Sequence, residues 1–122
     1  MGQRQDFTRA DRVRKALMRE VSDIISHGIK DPRLAKEVIS VTDVEVTQDL
    51  RFARIFVSVM GEEAAREKVM EILTEAQPRI RSEIGHRIRL RYTPEIDIKL
   101  DNSLERGARV SQLLDQIARG EV

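Results

Sequence analysis

The hydrophobic period of this chain switches four times, and each switch restricts what it can build. Apolar residues recur at helical spacing over Ala10, Val13, Leu17, Val21, Ile24 and Ile25, then alternate one by one through two runs between 38 and 60. Helical spacing returns at Ala65, Val69, Ile72, Leu73 and Ala76, alternation from 88 to 100, and helical spacing again at Val110, Leu113, Leu114 and Ile117. The order α, β, β, α, β, α predicts an α+β domain: a three-stranded sheet packed by helices. At 122 residues, with neither a repeat nor a low-complexity linker, the chain is expected to be one domain over 1–122.

Local signals set the boundaries. Thr8 with Asp11 three residues later has the form of a capping box, opening a helix over about 9–27 that Gly28 would end in a left-handed cap, with Ile29 beyond. Pro32 makes Lys30-Asp31-Pro32-Arg33-Leu34 a loop, because proline disfavours helical backbone at Asp31 and lacks a donor of its own. Residues 38–47 read as a strand whose apolar positions change parity: Ile39 and Val41 share one face, Val44 and Val46 the other. Keeping both pairs inward needs an extra residue, so a bulge is expected near Thr42-Asp43. The short turn at 48–50 makes an antiparallel hairpin with the next strand, 52–60, where Ala53, Ile55, Val57 and Val59 form one face and Phe52, Arg54, Phe56, Ser58 and Met60 the other.

Pro78 interrupts a helical pattern that otherwise runs on through Ile80 and Ile84. A kink or break is expected at 76–78, then a short second piece ending near Gly85. Residues 88–100 read as one long strand with Ile88, Leu90, Tyr92, Ile96, Ile98 and Leu100 in phase, bent at Pro94 or lying at a sheet edge. Asp101-Asn102-Ser103 offers caps for a last helix ending near Gly120.

Composition narrows the chemistry. With no cysteine there is no disulfide, thiolate metal site or cysteine nucleophile, and with aromatics at 3% (Phe7, Phe52, Phe56, Tyr92) the core must be aliphatic. No phosphate loop, nucleophile elbow or His-Glu-x-x-His helix is present, and His27 and His86 each stand alone near a helix end. The residues therefore predict no catalytic group, no metal and no cofactor. Residues 1–6 are polar, and no apolar run approaches the roughly 18 residues that span a bilayer, so a cytoplasmic protein without membrane contact is expected.

Charge placement says more than charge total. The net charge is +1, but 17 of the 22 basic residues are arginine, the bidentate phosphate binder. Residues 79–91 hold five arginines against Glu83, a local +4, and residues 4–19 also sum to +4. Residues 62–75 sum to −3. Such a dipolar chain suits laying one surface on polyphosphate while keeping another away from it. Arg79 and Arg81 flank the restart of the kinked helix, where backbone donors and guanidinium groups could converge on one phosphate. Phe52 and Phe56, beside Arg54, either stack RNA bases or lie under another helix or at a sheet margin.

These residues, taken in order, resemble the bacterial ribosome-binding factor A family. The likeness covers about Arg12 to Ile117. It is carried by Lys30-Asp31-Pro32-Arg33-Leu34 after the first helix, Val44-Glu45-Val46 leading to Asp49-Leu50 and Ala53, Arg87-Ile88-Arg89-Leu90-Arg91 before Pro94-Glu95, and Asp101-Asn102-Ser103. The resemblance implies a KH-like domain of type II in which a helix–kink–helix replaces the Gly-x-x-Gly loop. Where the family has Ala-x-Gly, this sequence has Ala76-Gln77-Pro78. It further implies a non-enzymatic factor that binds the free or immature small (30S) subunit and assists late maturation of 16S rRNA, including processing of its 5′ end, with importance in the cold.

On that reading Arg79, Arg81, Arg87, Arg89 and Arg91, with Lys30, Arg33 and Arg51 from loops, would clamp rRNA phosphates. The protein is expected to act as a monomer, alongside other assembly factors that include ribosome-associated GTPases. A KH-like module for a non-ribosomal RNA, or a protein-interaction domain using the acidic 62–75 helix or the Phe52/Phe56 face, are the alternatives.

Overall fold

The computed structural model describes residues 8–101. The expected last helix and the 102–103 part of its cap lie outside them.

The first helix, α1 (Arg9–Asp23), opens with the expected box: the Asp11 amide donates to Thr8 Oγ1 (3.1 Å), and the Thr8 amide donates to the Asp11 carboxylate (3.0 Å). Its far end departs from expectation. Ile24–Gly28 form a wider π turn closed by the Ile29 amide on the Ile24 carbonyl at 3.0 Å, and Gly28 does not take a left-handed cap. The π turn keeps Ile24 and Ile25 both buried, which an immediate reversal at Gly28 would not require. Proline then starts a single 3-10 turn, Pro32–Leu34, capped by the Asp31 carboxylate.

Strands β1 (Ile39–Val46) and β2 (Phe52–Val59) form the antiparallel hairpin, and the register slips between Val41 and Asp43, where the parity change demanded a bulge. Leu50 turns the hairpin with φ 62°, a left-handed conformation that is costly for a branched side chain. Gly61, at φ 134°, releases the chain from the sheet into α2 (Glu63–Glu75). The expected break follows: Ala76 stands between α2 and α3 (Gln77–Arg87), with Pro78 in the first turn of α3, where a missing donor costs nothing. The second piece runs past Gly85 to Arg87. At Gly85 the Thr93 hydroxyl approaches to 3.0 Å from where a Cβ would be, so the returning chain packs directly on the helix there.

The largest correction is at 88–100. Only β3 (Glu95–Leu100) is a strand; residues 88–94 are irregular. Pro94, fully buried, sits just ahead of the strand, where no ladder bond is asked of it. Ile88 and Leu90 still lean half-buried on the core, which is why their alternation looked strand-like, but Tyr92 is exposed. β3 lies parallel to β2, so the sheet order is β1-β2-β3 with β3 at an edge. That edge is partly covered: the Ile98 amide donates to the side-chain carbonyl of Gln77 at 2.9 Å.

All three helices pack on one face of the sheet. Leu17, Val21 and Ile24 meet Val44, Ile55, Val57 and Ile98, with Val69, Leu73, Ile80 and Ile84 from the helix pair. Among the described residues the buried core contains no aromatic ring, in line with the composition. Each such side chain contributes about 1.5–3 kcal/mol by leaving water. The opposite face carries polar and charged groups, with Arg54 paired to Asp97 across β2 and β3 (3.3 Å). Helix, two strands, a broken helix pair and a parallel third strand make the type II KH-like arrangement, with the Ala76-Gln77-Pro78 joint in place of a glycine loop. Among the described residues no helix is long and apolar enough to cross a membrane.

Candidate nucleic-acid interface

The basic residues divide by what already holds them. Arg87 is held most firmly. Its guanidinium reaches Asp23 (2.6 Å) and Glu20 (3.4 Å) on α1 and Glu83 (3.5 Å) one turn back, tying the end of α3 to α1. Its hydrogen bond, then that of His27, holds the Asp23 carboxyl below the ordinary carboxylate range, and Asp23 in turn raises Arg87. Arg81, although exposed, is turned onto the chain: it donates to the carbonyls of Pro94 (3.1 Å) and Thr93 (2.9 Å), fastening the 88–94 segment to α3. Arg33 makes a two-pronged contact with Asp31 (3.0 and 2.7 Å) and reaches Glu75 at 3.3 Å, so the loop after α1 docks on the end of α2. The Arg33 hydrogen bonds hold Asp31 at a pKa of about 2.

The others are open. Arg79, exposed in the first turn of α3, lies close enough to Asp31 for its charge to lower that carboxyl further. Lys30 is exposed next to Asp31 in the loop after α1, and Arg79 at the start of α3. Arg79 and Arg81 do not converge on one point, because Arg81 is turned back onto the chain. After α3 the 88–94 segment carries Arg89 and Arg91, both exposed, and doubles back along the helix so that Thr93 lies against Gly85. Arg51 joins them from the hairpin turn, whose backbone is held there by the Glu95 amide on the Arg51 carbonyl (2.8 Å). Neither Lys30 nor Arg89 has a hydrogen-bond or ion-pair partner among the described residues.

Tyr92 is the residue the sequence reading misplaced. It lies between Arg51 and Arg91, whose guanidinium carbons stand 5.1 and 5.7 Å from its ring centroid, and it is 57% exposed. Pro94, two positions on, ends the alternation instead of bending it, and the strand that follows it lies at the sheet edge. Phe52 is exposed at the start of β2 and Phe56 half-buried, both on the sheet face away from the three described helices. Among the described residues no group of three or more metal-ligating side chains comes together.

A sequence profile of the ribosome-binding factor A family matches residues 9–114. The chain belongs to that family. Ribosome-binding factor A of Gloeobacter violaceus is 54% identical over 114 residues, 93% of this chain and 88% of that one, and the protein of the same name from Acetivibrio thermocellus is 51% identical over 108 residues, 88% and 87%. The crystal structure of ribosome-binding factor A from Thermus thermophilus superposes with a TM-score of 0.64 at 23% identity, over 75% of this chain and 94% of that one. A homology model of the Thermus thermophilus factor, fitted into the cryo-EM map of a 30S–RbfA complex, gives 0.60 at 24% identity, over 73% and 91%. Both likenesses are of fold. Ribosome-binding factor A therefore supplies the frame in which the open basic residues of this chain are to be understood.

Proposed function

We propose that this protein binds the free or immature small ribosomal subunit through its 16S rRNA and assists late maturation of that RNA, including processing of the precursor's 5′ end, without cutting it. The observation that carries the reading is a set of exposed basic residues that meet no carboxylate at ion-pair distance among the described residues: Lys30, Arg79, Arg51, Arg89 and Arg91. Arg33, Arg81 and Arg87 hold the loops that present these groups, and their protein oxygens would have to be given up before they could touch phosphate. The fitting of a family relative into a 30S complex supports the choice of partner. The protein works as a monomer in the cytoplasm, in sequence with other assembly factors such as ribosome-associated GTPases.

Co-sedimentation with free small subunits and with assembled ribosomes tests this. Binding is expected to free subunits alone. It should weaken on the order of 100-fold between about 50 and 200 mM salt if five phosphates are neutralised. Equal binding to both particles, or to neither, overturns the reading. Depletion is expected to leave 5′-extended 16S precursor, most in the cold.

A further inference from the structure

We infer that Tyr92, flanked by Arg51 and Arg91, is a subsite for one unpaired nucleotide, whose base stacks on the ring while the arginines take its flanking phosphates. The inference rests on the RNA-binding reading and goes beyond it, since it names a base contact and a strand state.

The geometry distinguishes these two arginines from their neighbours. Arg33, Arg81 and Arg87 are each satisfied by oxygen at 2.6–3.5 Å. Arg51 and Arg91 instead rest near one aromatic ring, which accepts none of the five N–H donors of a guanidinium. Neither has a carboxylate at ion-pair distance among the described residues, although Asp49 lies near enough to Arg51 for that charge to lower its carboxyl. Two like charges are thus gathered at one spot with their hydrogen-bonding capacity unspent, an arrangement that an anion relieves. The ring supplies the second half of the site: it is more than half exposed, although the chain has few aromatics and none is buried in the core among the described residues.

The anchoring is rigid. Arg51 follows the left-handed Leu50 in a turn tied to Glu95, and Tyr92 sits just before the Thr93 and Pro94 carbonyls that Arg81 grips. Stacking on a side chain needs a base with an open face, which a paired base inside a helix does not offer. The subsite therefore selects single-stranded RNA, a loop or an end, over duplex.

Tyr92 is the only tyrosine of a chain without tryptophan, so its own emission reports the site. A single-stranded octaribonucleotide should quench it, and a duplex of the same sequence should not. Tyr92→Ala should weaken octamer and subunit binding about tenfold, with Tyr92→Phe within about twofold of the original and both melting curves unchanged. Octamer binding seen by label anisotropy, with unchanged emission and an unaffected Tyr92→Ala variant, would overturn the subsite while leaving the phosphate surface standing. Weakened subunit association without any quenching would also overturn it, assigning Tyr92 to a protein contact. If the original chain binds neither octamer nor subunit, the RNA-binding reading falls with it.

Discussion

Arg87 and Arg91 stand four positions apart in one basic block, yet one is closed by three carboxylates and the other meets only an aromatic ring. The same contrast separates Arg81 from Arg79, and Arg33 from Lys30, its near neighbour in the loop. Formal charge along a sequence therefore overstates what a polyanion meets. Of the charge in residues 79–91, the part at Arg81 and Arg87 is spent on joining α3 to α1 and to the 88–94 segment. What remains open lies at Arg79, Arg89 and Arg91. Arg79 and Arg81 differ because a helix places residues two apart on different sides, whereas Arg89 and Arg91 lie beyond the helix in the irregular segment.

If that division is real, the two sets must fail differently. The largest effect should come from reversing Arg79, Arg89 and Arg91 together to glutamate: subunit affinity should fall on the order of 100-fold at low salt, with an unchanged unfolding midpoint. A variant that binds as before would erase the distinction. Replacing Arg79 alone with alanine should weaken binding by roughly tenfold or less and flatten the log–log salt slope by about one unit, measured by co-sedimentation at a series of salt concentrations. Arg87→Met should do the reverse. It lowers the thermal midpoint, because Glu20 and Asp23 lose their shared cation, but leaves the salt slope intact among folded molecules.

The smallest effect is a titration. Asp31 has a folded pKa of about 2 against an ordinary 3.8, so its ion pair adds stability that is fully present above about pH 4 and disappears as pH falls toward 2. Arg33→Gln should bring the Asp31 carboxyl, followed by NMR, back toward its ordinary value. A titration that stays near 2 would show that Arg33 is not what holds it.

Much of the frame was legible from local chemistry. The parity change between Val41 and Val44 located the bulge, and Pro78 located the helix break, because each is a rule about adjacent residues. The core membership of Ile55, Val57, Leu73 and Ile84 followed from period alone. What stayed hidden depends on distant partners. Glu20 and Asp23 lie more than 60 residues before Arg87, so no spacing argument links them. Tyr92 was read as inward because it kept the phase of Ile88 and Leu90, but those two pack from an irregular segment, where phase says nothing of the next residue's direction. The π turn at Ile24–Gly28 escaped for a similar reason: a glycine after a helix signals an ending without fixing its hydrogen-bond pattern.

The contact between Gln77 and Ile98 has one more consequence. A side chain at the joint between α2 and α3 accepts the amide of an edge strand, so the bend cannot change angle without releasing that amide to solvent. Hydrogen exchange at this single backbone site becomes a clock for motion of the helix pair. Should the ribosome flex the joint when it takes up or discards the protein, Ile98 would register the event from the other side of the sheet edge.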